Sequence, residues 1–254
     1  MNADIPSSVT VVTGASGGIG RSLALALARR GEAVVLIARR KSLLDEAVDE
    51  ITKAGGRALA IACDVTDREA LRAAVAETEQ YFGPIGRVIA NAGGGKRAAG
   101  SALSAEAIET TMRLNYMGTV HIVEAVLPFM LARGQGHLVF VSSLAALLGL
   151  PGAAGYSAAK AAVARLAESL QIDLAPQGID VTLLYPGFVD KGNKKKRKPL
   201  SMSLSRMTDL TVRAILARRR CYIYPLSLRL ALGLVRCLPV GLRIALLGRF
   251  AKKG

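Results

Sequence analysis

The chain has no tryptophan, few aromatics of any kind (4%), only three cysteines, and almost no acid in its last quarter. Each shortage excludes something. Without tryptophan, and with no regular aromatic interleaving in its basic segment, the sequence lacks the stacking platforms and groove-reading modules of a nucleic-acid binder, so no nucleic acid is expected as a partner. Cys63, Cys221 and Cys237 are scattered. They match neither a metal-ligand spacing nor a disulfide framework; no metal is expected, and each cysteine is read as a small buried hydrophobe. Residues 1–8 show no basic-then-apolar leader, which points to a cytoplasmic protein. No Pro/Ser-rich linker divides the 254 residues. A chain that is 51% hydrophobic, with mean hydropathy +0.34, can bury one substantial core. One domain is expected over 1–225, with a helical extension over 226–254.

What is present begins with Val9-Thr10-Val11-Val12, a β-branched run that leads into Thr13-Gly14-Ala15-Ser16-Gly17-Gly18-Ile19-Gly20 and then an Ala/Leu-rich segment. This reads as strand, glycine turn, helix. Glycines at 14, 18 and 20 let the backbone approach a ligand closely, and the amides opening the helix attract a pyrophosphate. The spacing Gly-x-x-x-Gly-x-Gly departs from the Gly-x-Gly-x-x-Gly dinucleotide fingerprint, and a turn that merely packs helix on strand stays open. Further apolar runs at 33–38, 58–62, 87–90, 137–142, 179–185 and 221–224 alternate with helical patterns. Such runs suit strands covered on both faces, so the fold class expected is α/β, a doubly wound parallel sheet.

The chemistry lies in Gly155-Tyr156-Ser157-Ala158-Ala159-Lys160, where tyrosine and lysine stand four apart in a helical stretch and Ser143 lies thirteen residues before the tyrosine. Positions i and i+4 share a helix face. A neighbouring ammonium favours phenolate, so Lys160 is expected to lower the Tyr156 pKa from its usual value near ~10 and make the phenol a better acid.

Taken together, Thr13 to Gly20, Asn91-Ala92-Gly93, Asn115, Ser143, Tyr156, Lys160 and Pro186-Gly187 resemble the short-chain dehydrogenase/reductase family over roughly residues 7–225. The resemblance implies a Rossmann-like sheet of about seven strands, a nicotinamide cofactor, hydride transfer to or from a carbonyl or alcohol, and a homodimer or homotetramer. It assigns Asn115, Ser143, Tyr156 and Lys160 as catalytic: Ser143 bonds the substrate oxygen, Tyr156 exchanges its proton, Lys160 keeps the tyrosine acidic and contacts the cofactor ribose, and Asn115 orders a relay water. Ser142 is the alternative serine, and a core amide the alternative role for Asn115. The implied cofactor contacts are Gly14, Ser16, Gly18, Ile19, Gly20, Asp64 and Val65 beside the adenine, Asn91, Ala92 and Gly93, then Tyr156, Lys160, Pro186, Gly187 and Val189. Asp64 could instead cap the next helix. Where many family members carry a threonine, this chain has Lys191.

At the end of the second strand, Ala38-Arg39-Arg40-Lys41 offers no carboxylate for ribose hydroxyls but two guanidiniums suited to a ribose phosphate. NADP(H) is expected, with Arg39 favoured over Arg40.

Residues 1–190 hold 17 Lys+Arg against 18 Asp+Glu, whereas residues 191–254 hold 17 against Asp209 alone, so the net +15 is entirely C-terminal. Six of the eight residues 191–198 are cations. Over 225–250, aliphatic residues are punctuated by Arg229, Arg236 and Arg243 at intervals of seven, with Pro239 midway. Two short helices are expected, lying on an anionic membrane surface or else capping the cleft or a subunit contact. The resulting expectation is an NADPH-dependent reductase of a hydrophobic ketone or aldehyde, against the alternative of a nucleotide-binding regulatory or scaffold protein whose catalysis has lapsed.

Overall fold

Seven parallel strands lie in the order β3-β2-β1-β4-β5-β6-β9 in the computed structural model, which describes residues 9–95, 100–190 and 201–251. In chain order they are β1 (Val9–Thr13), β2 (Ala33–Ala38), β3 (Ala58–Ala62), β4 (Ile85–Ala90), β5 (Gly136–Val141), β6 (Ile179–Pro186) and β9 (Cys221–Tyr224); the two-residue strands β7 (Val189–Asp190) and β8 (Met202–Ser203) pair separately. The strands expected from the sequence are all present.

The alternation that reads as uniform apolarity in sequence resolves into two cores. Val9, Val11, Val35, Ile37, Val88, Phe140 and Leu183 face one side of the sheet. They pack with α3 (Arg68–Glu77), α5 (Gly118–Arg133) and α6 (Ala154–Leu174) through Leu71, Val75, Ile122, Val126 and Val163. Val12, Val34, Leu36, Ile89, Val139 and Leu184 face the other side, against Leu23 and Leu27 of α1 (Gly18–Ala28), Leu44 of α2 (Lys41–Lys53) and Met207, Val212 and Ile215 of α7 (Leu204–Leu216). Because successive strand side chains point oppositely, one apolar run feeds both layers. The stretch Ala105–Arg133, which joins α4 (Ala105–Met112) to α5 through a π-helical turn at Arg113–Met117, is long and apolar enough to cross a membrane, yet its Ile122, Val126 and Met130 are fully buried against the sheet. Its apolarity therefore serves the core.

Strand order reverses between β1 and β4, whose helices leave on opposite faces, and the crevice at such a switch point is where α/β sheets bind ligands. The loops after β1, β4, β5 and β6 all open there, and they hold Gly14, Asn91, Ser143 and Gly187.

Two sequence expectations change. Cys63 is buried, but Cys221 and Cys237 are exposed: one opens the edge strand β9, and the other ends α8 (Leu226–Cys237) on its outer side. Asp64 does not cap α3; Asp67 does, accepting from the Ala70 amide at 3.0 Å, while Asp64 accepts from the Thr66 amide and hydroxyl at 2.9 Å. The two short helices expected after β9 are present, α8 and α9 (Val240–Ala251), with Pro239 between them, so Arg229 and Arg236 lie on the first and Arg243 on the second. The basic loop 191–198 lies outside the described residues.

Candidate active site

The glycine turn is shaped by close backbone approach. Gly14 has φ +68°, and a Cβ there would lie 2.8 Å from Ala92 Cα. A Cβ at Gly20 would lie 2.5 Å from the Gly14 carbonyl oxygen and 2.6 Å from Asn91 Nδ2. Neither position tolerates a side chain without moving backbone. Thr13 joins the two loops: its Oγ1 accepts from the Asn91 and Ala92 amides at 3.0 and 3.1 Å, and its carbonyl accepts from Asn91 Nδ2 at 3.0 Å. Helix α1 starts at Gly18 with no side chain capping its amides, which leaves them directed at the cleft.

That cleft, about 880 Å³, is lined by eleven of the residues expected from the sequence: Gly14, Gly18, Ile19, Asn91, Gly93, Ser143, Tyr156, Lys160, Pro186, Gly187 and Val189. Ser16, Gly20, Arg39, Arg40, Asp64, Val65, Ala92 and Asn115 stand behind or beside it. Asn115, fully buried in the π-turn, accepts from the Gly94 amide at 3.0 Å and donates to the Gly94 carbonyl at 2.6 Å and to the Thr111 carbonyl at 2.9 Å. It fixes the cleft floor.

The two serines part company at the end of β5. Ser142 is buried and its hydroxyl donates to the Lys160 carbonyl at 2.8 Å, tying strand to helix. Ser143 is extended and half-buried; its Oγ accepts from the Ala145 amide at 3.2 Å and is near enough to the Tyr156 phenol to lower its pKa. Geometry thus separates a structural hydroxyl from one facing the cleft.

Lys160 does not act on Tyr156 as its spacing predicts. Nζ donates to the Val141 carbonyl at 2.9 Å and lies 5.9 Å from the centre of the tyrosine ring. Burial is the main influence on the phenol and raises its pKa; the Ser143 hydrogen bond pulls the other way. Burial also lowers the Lys160 pKa to about 8. Desolvation thus brings the lysine's titration down toward the working pH while leaving it mostly charged at pH 7, and its ammonium is spent on the Val141 carbonyl.

At the rim, Arg40 Nη2 donates to Ser16 Oγ at 3.0 Å across the glycine turn, while Arg39 turns to Asp64, with Nη1 3.7 Å from Oδ2. The sequence favours Arg39; it is Arg40 that reaches the loop. An uncapped helix start at Gly18 and a backbone cradle closed to any Cβ fit a dinucleotide.

Sequence reasoning missed the apolar wall formed by Leu144, Ala145, Leu150, Ala153 and Phe188. The only signal was the presence of leucines and a phenylalanine in loops that follow strand ends. Gly94 and Gly95, just past the Asn-Ala-Gly run, were also missed and line the floor.

Residues 8–200 match the family model described as short chain dehydrogenase. An uncharacterized oxidoreductase of Myxococcus xanthus is 41% identical over 187 residues, covering 74% of each chain. The 3-ketodihydrosphingosine reductase of Mus musculus is 33% identical over 208 residues, covering 79% of this chain and 63% of that one. Among solved structures, a short-chain dehydrogenase from Sphingobium yanoikuyae in complex with NADPH superposes with a TM-score of 0.78 at 29% identity, covering 92% of this chain and 97% of that one. With the sheet order, the glycine cradle and this agreement together, the chain belongs to the short-chain dehydrogenase family, whose members are nicotinamide-dependent oxidoreductases of alcohol and carbonyl groups.

Proposed function

We propose that the protein reduces a hydrophobic ketone or aldehyde with NADPH. The observation that carries this reading is the meeting, in one cleft, of Ser143, Tyr156 and Lys160 with the apolar wall of Leu144, Leu150 and Phe188. A polar end and a greasy side suit a carbonyl on an apolar body. The mouse relative, by its name, takes a 3-keto lipid, and the Sphingobium relative binds NADPH.

NADPH, when bound, supplies the hydride that the carbonyl carbon receives. The chain's own part is the proton and the positioning. Ser143 donates to the carbonyl oxygen, and Tyr156, beside it in the cleft, gives its phenolic proton to that oxygen as negative charge develops there. Its raised pKa keeps the phenol protonated at neutral pH, which is the state a proton donor needs. Lys160 stands behind the phenol as the replacement source of a proton, titrating at about 8. Asn115 holds Gly94, and with it the floor on which the cofactor ribose would rest. Arg40 and Ser16, with Arg39 beside them, form the expected grip on the extra phosphate of NADPH.

The test is NADPH oxidation against a panel of apolar ketones and aldehydes, repeated with NADH. Turnover favouring NADPH and rising with the apolar bulk of the carbonyl is the expected result. Binding of NADPH without turnover across the panel would replace this reading with the cofactor-binding regulator.

A further inference from the structure

Helix α8 is amphipathic on the side where a closing helix should be polar. Its inner side, Leu228 with Leu232, joins the core; Leu228 is only 8% exposed. Its outer side repeats leucine every fourth residue, and Leu226, Leu230 and Leu234 are 63%, 60% and 73% exposed. Arg229 and Arg236, both exposed, fall along one edge of that stripe at helical spacing. Past Pro239, α9 carries on with Val240, Leu242 and Ile244 equally open to solvent. Leu226, Leu230 and Leu234 on one face of α8, with Val240 and Ile244 one turn apart on α9, stand in water as apolar surface of the kind that marks an interaction site. Charge decides the partner. Residues 226–254 hold six cations and no acid, and Arg229, Arg236 and Arg243 form no ion pair with a carboxylate among the described residues.

We propose that the outer face of α8 and α9 docks on an anionic lipid bilayer, with the two helices lying in the headgroup layer. A second copy of the chain would bring Arg229 and Arg236 against their own counterparts, with no acid on α8 or α9 to meet them. A transmembrane span is excluded by length: twelve residues in each helix rise about 18 Å, against about 30 Å of hydrocarbon. Leucines that enter the acyl boundary and arginines that stay among phosphates match this face in both respects.

The position of α8 links docking to the cleft. Gly187 lines the cleft, and a Cβ there would lie 3.0 Å from Pro225 Cδ and 3.1 Å from Leu228 Cδ2. The helix that would rest on lipid is thus packed directly on the cleft wall. An apolar carbonyl dissolved in the bilayer would then enter without crossing water. This last step rests on the reductase reading; the docking does not.

The experiment is sedimentation of the full chain with vesicles of phosphatidylcholine alone or of phosphatidylcholine mixed with phosphatidylserine, at low and high salt. Turnover of a short water-soluble ketone is measured on the same samples without lipid. The expected result is sedimentation only with the anionic vesicles, weakened by salt. Arg229→Gln/Arg236→Gln should weaken binding about 30-fold, and Leu230→Gln/Leu234→Gln more than tenfold, while both keep wild-type melting and lipid-free turnover. Equal binding to neutral vesicles, or variants that sediment like wild type, would overturn the proposal. So would a wild-type dimer that the leucine variant dissociates, which would make the face a contact between copies. Failed turnover with intact vesicle binding would count against the reductase reading alone.

Discussion

Lys160 Nζ bonds the Val141 carbonyl at 2.9 Å, across nineteen residues of sequence, and this contact draws the ammonium toward the end of β5 instead of onto the Tyr156 phenol. The pair therefore works through burial. The lysine sits fully enclosed with its pKa lowered to about 8, and the tyrosine stays a protonated phenol.

Enclosing that lysine costs stability. In the unfolded chain Lys160 titrates at 10.5 and in the folded chain at about 8. Below about 8 both forms are charged and the full penalty is present; between 8 and 10.5 the unfolded chain binds more protons, so stability rises with pH. Lys160→Met should accordingly stabilise the cofactor-free protein at pH 7 by about 2 kcal/mol, after allowance for the lost bond to Val141. Denaturant melts across alkaline pH check this: the gain should shrink toward pH 10, and activity should be lost throughout.

At the opposite end of the sheet, Arg87 Nε donates to His137 Nδ1 at 3.2 Å, so the imidazole carries its proton on Nε2 and donates to Thr182 Oγ1 at 2.8 Å. Burial, then the nearby Arg87 and Arg218 charges, holds the His137 pKa well below 6.5. The unfolded chain binds the extra proton, so stability is lost as pH falls below 6.5. Replacing the ring with His137→Asn should flatten that acid limb by up to one proton, about 1.4 kcal/mol per pH unit, in urea titrations read by circular dichroism.

Arg40 bridges to Ser16 at 3.0 Å, where the extra phosphate of NADPH is expected. Arg40→Ala should raise the KM for NADPH about 10- to 100-fold, the worth of a charge-assisted bond, and leave the KM for NADH nearly unchanged. Steady-state kinetics with both cofactors distinguishes this from general damage, which would raise both.

Gly20→Ala would press a methyl to 2.5 Å from the Gly14 carbonyl, a backbone atom that cannot swing aside. A loss of about 1–3 kcal/mol in stability and of measurable NADPH binding is expected. Calorimetry with cofactor and a thermal melt without it report the two effects separately.

The sequence carried the strand edges, the glycine turn and the Ser143–Tyr156–Lys160 spacing because these are local: β-branched runs, forced turns and helical periodicity repeat at short range. It did not carry contacts made by folding. The Val141 carbonyl that receives Lys160, the turn of Arg39 toward Asp64, and the loop leucines that wall the cleft depend on which strand ends meet at the switch point. Cys221 and Cys237 were misjudged for a related reason. Cysteine is buried on average; the sheet order shows that β9, with Cys221, is an edge, and the fold shows that Cys237 ends α8 on its open side.

In the proposed reaction Tyr156 gives the proton while the rest of the cleft binds. Tyr156→Phe removes that hydroxyl and keeps the ring, so the decisive measurement is NADPH oxidation with an apolar ketone beside NADPH binding, for wild type and variant. Unchanged binding is expected, with turnover reduced by about 10²- to 10⁴-fold, the usual worth of a positioned acid. Turnover within a few fold of wild type would contradict it.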